Sequence, residues 1–136
     1  MNMKKTILLI DDSDFILETN KELLEAAGYN IITANNGLQG IEVAIKELPD
    51  MIICNVSMPG LSGFEVVEQI KNNKRTSLTP FMFLTGFTDK SKMREGREKG
   101  ADDYLTKPYT KKELIGAVDA LWRMYERKNI NPNPRK

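Results

Sequence analysis

The sequence predicts a doubly wound α/β domain: an open, five-stranded parallel sheet with helices on both faces. Three observations predict it. Short apolar runs recur five times along the chain, segments of helical period alternate with them, and 136 residues suit one domain with one hydrophobic core. The runs are too short for helices. They also lack in/out alternation, the mark of strands buried on both faces of a parallel sheet.

The first run is Ile7 to Ile10. After it, Ile16, Leu23, Leu24 and Ala27 share one helical face, and Gly28 supplies a C-terminal stop. The second run, Asn30 to Thr33, is followed by Leu38, Ile41, Ile45 and Leu48 at spacings of three and four, ended by Pro49. The third run is Met51 to Cys54. Ser62 and Glu65 then form a capping box that opens a helix through Phe64, Val67 and Ile70. After the fourth run, Phe81 to Leu84, the segment Thr88 to Lys99 is dense in charge, with Met93 as its only large apolar residue and a glycine at Gly96. That composition predicts a weakly held surface helix. A fifth, weaker run covers Asp103 to Leu105, and Thr110 with Glu113 opens a last helix through Leu114, Val118, Leu121 and Tyr125. The domain is expected over residues 1–128. Residues 129–136 carry two prolines and no periodicity, and read as a disordered tail or the start of a linker to an output domain.

Composition narrows the chemistry. With 20 Lys and Arg against 19 Asp and Glu, the net charge is +1, so no global basic field is available to hold nucleic acid or a membrane surface. The single cysteine, Cys54, excludes an intrachain disulfide and an all-cysteine metal site; it reads as a buried small hydrophobe in a reducing, cytoplasmic setting. No apolar run is long enough to span a bilayer, and Met1 to Thr6 lacks the features of a signal peptide. Histidine is absent. There is therefore no imidazole base, no histidine metal ligand and no Ser/His/Asp triad, and the chemistry falls to carboxylates, hydroxyls, lysine or a group brought by a partner.

In an open parallel sheet, ligands bind beyond the carboxyl ends of the strands. The residues there are Asp11 and Asp12 after the first run, Asn55 and Ser57 after the third, Thr85 and Gly86 after the fourth, and Lys107 and Pro108 after the fifth. Each has a plainer reading alone. Asp11, Asp12 and Ser13 could cap a helix, Asn55 could be a turn residue, and Lys107-Pro108 is an ordinary way to leave a strand. The ordered set along a single edge is what favours a site.

These motifs, Leu-Leu-Ile-Asp-Asp, Pro-Asp-Met-Ile-Ile-Cys-Asn-Val-Ser-Met-Pro-Gly-Leu-Ser-Gly-Phe-Glu, Phe-Leu-Thr-Gly and Gly-Ala-Asp-Asp-Tyr-Leu-Thr-Lys-Pro, resemble the receiver domain of bacterial two-component response regulators. The resemblance runs from Lys5 to about Lys128. It implies a flavodoxin-like, CheY-like (βα)5 fold with strand order 2-1-3-4-5. It further implies that Asp11, Asp12, position 55 and the carbonyl of Ser57 surround a Mg²⁺ ion, and that Lys107 and Thr85 hold phosphoryl oxygens. Gly86 would keep access open, Tyr104 would be the switch aromatic that turns inward with Thr85, and Lys107-Pro108 would be a cis peptide. The implied partners are a histidine kinase or histidine phosphotransfer protein, with a further partner or output domain on the face of the fourth helix, fifth strand and fifth helix. There the basic residues Lys92 and Arg94 suit an acidic partner.

One departure stands out. The family places its phosphoacceptor aspartate where this chain has Asn55. An amide oxygen is uncharged and forms no acyl phosphate, so the chain as written should not be phosphorylated there. An aspartate would bring the crevice to neutrality with Lys107 and Mg²⁺, whereas the amide leaves it net positive, which should weaken the metal. Asn55 fits either a pseudo-receiver that works by binding or a phosphoaccepting receiver whose aspartate was replaced. Two other readings start from the same edge. Asp12-Ser13-Asp14 after a strand is similar to a haloacid dehalogenase-type phosphatase, but the expected Thr or Ser after the second acid is missing. A flavodoxin would need a hydroxyl- and glycine-rich phosphate loop after the first strand, and there is none.

Overall fold

The computed structural model describes residues 4–86 and 90–130. Strands and helices alternate: β1 (Thr6–Ile10), α1 (Asp14–Ala26), β2 (Asn30–Ala34), α2 (Gly37–Glu47), β3 (Met51–Asn55), α3 (Gly63–Asn72), β4 (Phe81–Thr85), α4 (Lys90–Lys99), β5 (Asp103–Thr106) and α5 (Lys111–Ile130). The strands form one parallel sheet in the order β2-β1-β3-β4-β5. Each apolar run of the sequence is a strand. β3 and β4 are buried along their whole length and β1 nearly so, while β2 and β5 are partly exposed because each has only one neighbouring strand.

Alternate side chains of the sheet feed two cores. On one face Leu8, Ile10, Ile52, Cys54, Phe81 and Phe83 pack with α2 and α3. On the other, Ile7, Leu9, Ile53, Met82 and Leu84 pack with Leu17 and Leu24 of α1 and with Leu114, Val118 and Leu121 of α5. Both expected capping boxes are present. Ser62 Oγ accepts from Glu65 N while Ser62 N donates to Glu65 Oε1, and Thr110 and Glu113 make the same reciprocal pair.

Two helical faces differ from the sequence expectation. In α1 the buried residues are Leu17, Asn20 and Leu24, with Ile16 and Leu23 only half-buried and Ala27 exposed. The stripe is rotated because Asn20, a polar residue, faces inward and donates its amide to the Tyr109 hydroxyl at 3.0 Å. In α2 the buried residues are Gly37, Gly40, Ile41 and Ala44, whereas Leu38 and Leu48 are exposed. Small residues face the sheet there because α2 lies so close to it: a Cβ on Gly40 would meet Ile10 Cδ1 at 2.5 Å. α4 buries only Gly96, as its charge density predicts. Its expected start at Thr88 lies outside the described residues. α5 continues past Lys128 to Ile130, and the rest of the expected tail also lies outside them.

Candidate functional site

Sheet register assembles the site. Ile10 pairs with Cys54, so Asp11 and Asn55 leave the sheet side by side; Thr85 pairs with Thr106, which brings Lys107 up beside them. Gly63 allows the start of α3 to close in, since a Cβ there would meet the Asn55 carbonyl oxygen at 2.6 Å. Its N–H donates to the Val56 carbonyl at 2.8 Å and fixes the β3–α3 loop.

At the centre is the Asn55 side chain, 8% exposed. Its Oδ1 accepts from Lys107 Nζ at 3.1 Å. Its Nδ2 donates to the Ser57 carbonyl at 2.9 Å and to Asp12 Oδ1 at 3.4 Å. The charges around it set this orientation: the amide oxygen faces the ammonium and the amide hydrogens face the acid. Asn55, itself uncharged, thus links both sides of the crevice by hydrogen bonds to a cation, an anion and a carbonyl.

Asp11 is buried beside it. Its Oδ1 accepts the Ser13 N–H at 2.9 Å, while its Oδ2 is buried with no hydrogen-bond partner among the described residues. Burial pushes the Asp11 carboxyl above the usual carboxylate range, the neighbouring Asp12 adds to this, and the Ser13 N–H and Lys107 oppose it. A buried carboxylate oxygen without a donor is better served by a cation. With exposed Asp12 and the Ser57 carbonyl nearby, the oxygen donors fit a Mg²⁺ ion that takes few carboxylates and keeps several waters.

Thr85 is buried at the end of β4, where its carbonyl accepts the Lys107 N–H at 2.7 Å. Gly86 is exposed, and a Cβ there would meet nothing within 4 Å. The Lys107-Pro108 peptide is cis. Tyr104 packs beside the crevice, on the Thr85 side. Its ring stacks on Phe83 at 6.3 Å, the Arg97 guanidinium lies 4.7 Å over the ring centre, and its hydroxyl is buried with no hydrogen-bond partner among the described residues. Tyr104 and Thr85 border the same small space, with Phe83 and Met93.

The structure adds residues that the sequence did not single out. Asn20 and Tyr109 form a partly buried polar pair whose phenol is raised in pKa by burial, with Asp11 adding to the effect. In the sequence Arg97 is one of many charges in the segment Thr88 to Lys99. Neither has a local motif: Asn20 is flanked by Thr19 and Lys21 like a surface position of α1, and its partner is 89 residues away.

The model for the response regulator receiver domain matches residues 7–119. The alkaline phosphatase synthesis transcriptional regulatory protein PhoP of Bacillus subtilis is 37% identical over 124 residues, which cover 91% of this chain and 51% of PhoP. Protein PilG of Pseudomonas aeruginosa is 38% identical over 117 residues, 84% of each chain. Among solved structures, chemotaxis protein CheY4 of Vibrio cholerae has a TM-score of 0.84 at 32% identity, over 88% of this chain and 99% of that one. This chain spans about half the length of PhoP and of the phosphate regulon regulator PhoB of Pseudomonas aeruginosa, and most of the length of PilG. Strand order, motif positions and these relatives agree, and the chain belongs to the response regulator receiver domain family.

Proposed function

We propose that this chain is a receiver module that takes no phosphoryl group at position 55 and signals by binding. The observation that carries the reading is the Asn55 bridge: where the chemistry needs an anionic nucleophile, an amide already joins Lys107 to Asp12 and the Ser57 carbonyl. Asp11, Asp12 and Ser57 would hold Mg²⁺, weakly, and the ion would supply positive charge for a phosphoryl oxygen or a similar anion. Lys107 and Thr85 would bind that anion from the protein side. The partners are a histidine kinase or histidine phosphotransfer protein at the crevice, and an acidic partner or output domain on the α4–β5–α5 face; of the two basic residues of α4 that suit it, Lys92 and Arg94, both are exposed, with Lys92 turned toward the β3–α3 loop. PhoP and PhoB carry the names of transcriptional regulators; with a net charge of +1, this domain itself would leave DNA contact to another segment. No helix among the described residues is long and apolar enough to cross a membrane, and a cytoplasmic setting suits the lone buried thiol.

The test is incubation with a small phosphodonor and Mg²⁺, read by intact mass, for this chain and for Asn55→Asp. The expected result is a phosphoryl adduct on the variant and none on the parent. An adduct on the parent, at Ser57 or Thr85, would overturn the reading.

A further inference from the structure

A cavity of about 350 Å³ lies at the opposite end of the sheet from the Asn55 crevice, beside Pro80 and Asp102, the residues that lead into β4 and β5. At a rise of about 3.3 Å per residue, one strand length separates the two sites by roughly 15 Å. The cavity has an apolar wall and a cationic rim. Leu121, Met124 and Tyr125 of α5 form the wall, Leu78 joins it from the α3–β4 loop, and Lys71 and Lys128 stand at the rim with Asp102.

The rim is held in place by the surrounding chain. Lys71 Nζ donates to the Thr79 carbonyl at 2.6 Å and lies 3.5 Å from Asp102 Oδ2, which itself accepts the Phe81 N–H at 2.8 Å. Gly100, at φ +122°, makes room for the Lys71 stem: a Cβ there would meet Lys71 Cγ at 2.6 Å. The loop carrying Leu78 is equally constrained. Thr76 is fully buried with Oγ1 bonded to the Ile70 carbonyl at 2.7 Å, and the N–H groups of Thr76 and Thr79 close successive turns. Yet Leu78 is 79% exposed and Met124 is 38% exposed. A large apolar side chain presented to solvent by a tightly bonded loop, next to a pocket of ligand-binding size, marks a binding surface more than a core defect.

Charge selects the ligand. Lys71 and Lys128 outnumber Asp102 at the rim, and Lys74 and Arg75 on the α3–β4 loop add to the positive field of this end. We propose that this cavity binds a small amphipathic carboxylate, with the carboxylate between Lys71 and Lys128 and the apolar body against Leu78, Met124 and Tyr125. The site is independent of the phosphoryl chemistry at the other end and does not rest on the reading of Asn55.

The experiment is a titration of the isotope-labelled full chain with naphthoate and, in parallel, with the neutral naphthalenemethanol, followed by amide chemical shifts. Naphthoate is expected to shift Ser77, Leu78, Asp102 and the last turns of α5 saturably in the millimolar range or below, with the alcohol at least about threefold weaker. Lys128→Glu and Leu78→Ala, both at exposed positions, are each expected to weaken naphthoate about three- to fivefold while leaving the spectrum dispersed. Absence of saturable shifts, equal affinity for the alcohol, indifference to either substitution, or shifts centred on Asp11 and Lys107 would each overturn the proposal.

Discussion

Asn55 shows how one atom changes the physics of the crevice while preserving its shape. An aspartate would place an anion 3.1 Å from Lys107, but it would also face Asp12 and the Ser57 carbonyl without the two donated hydrogens that now satisfy them. In the metal-free state, Asn55→Asp therefore trades hydrogen bonds for repulsion among three carboxylates, only partly offset by Lys107. Urea unfolding in chelator is expected to show the variant less stable by about 1 kcal/mol, and equal or greater stability would contradict the account. With Mg²⁺ the sign reverses. A third carboxylate beside a divalent ion is expected to raise affinity at least about tenfold in calorimetric titration, because close charges interact by several kcal/mol even at an effective dielectric of about 20.

Helices in this fold are set against the sheet at distances chosen by their smallest residues, so substitutions that look alike in sequence part ways. Gly40 and Gly116 are both helical glycines, and alanine is the better helix former at either. At Gly116 a Cβ meets nothing within 4 Å, and Gly116→Ala is expected to stabilise by about 0.5–1 kcal/mol. At Gly40 the Cβ would strike Ile10, and Gly40→Ala is expected to destabilise by about 1–3 kcal/mol despite its propensity. Thermal unfolding of the two variants separates the terms, and a matching sign for both would refute the packing argument. Elements are also tied end to end. The Tyr29 hydroxyl, just before β2, donates to Asp119 of α5 at 2.5 Å, and burial, then this bond to the carboxylate, raises the phenol's pKa above its ordinary 10. Because the folded pKa is raised, this stabilisation is complete below pH 10 and is lost as pH climbs toward the folded value. Tyr29→Phe is expected to cost about 1–3 kcal/mol from pH 6 to pH 9, and the gap should narrow above pH 10 in denaturant melts.

Across the whole molecule, the sequence showed most clearly what the sheet requires. Every apolar run became a strand, most plainly in β3 and β4, where burial throughout leaves little freedom of composition, and less so in the partly exposed edge strands β2 and β5. The crevice residues were legible for the same reason, since a parallel sheet delivers its strand ends to one edge and Asp11, Asn55, Thr85 and Lys107 had nowhere else to go. The buried faces of α1 and α2 were not legible, because periodicity weighs large apolar residues and misses an inward Asn20 or a glycine stripe. The Asn20–Tyr109 pair and Arg97 over Tyr104 depend on distant partners and leave no local signature. If the central strands are the most protected part of the fold, Cys54 is a reporter of global opening. Its thiol is fully buried in β3, bonded to the Asn55 carbonyl at 3.2 Å, and held by burial well above its ordinary pKa. A thiol reagent is therefore expected to label the native chain only through global unfolding, so the opening free energy from labelling rates should equal that from urea titration. Labelling much faster than that equality allows would mean that β3 opens locally, and that the rim bearing Asn55 opens with it.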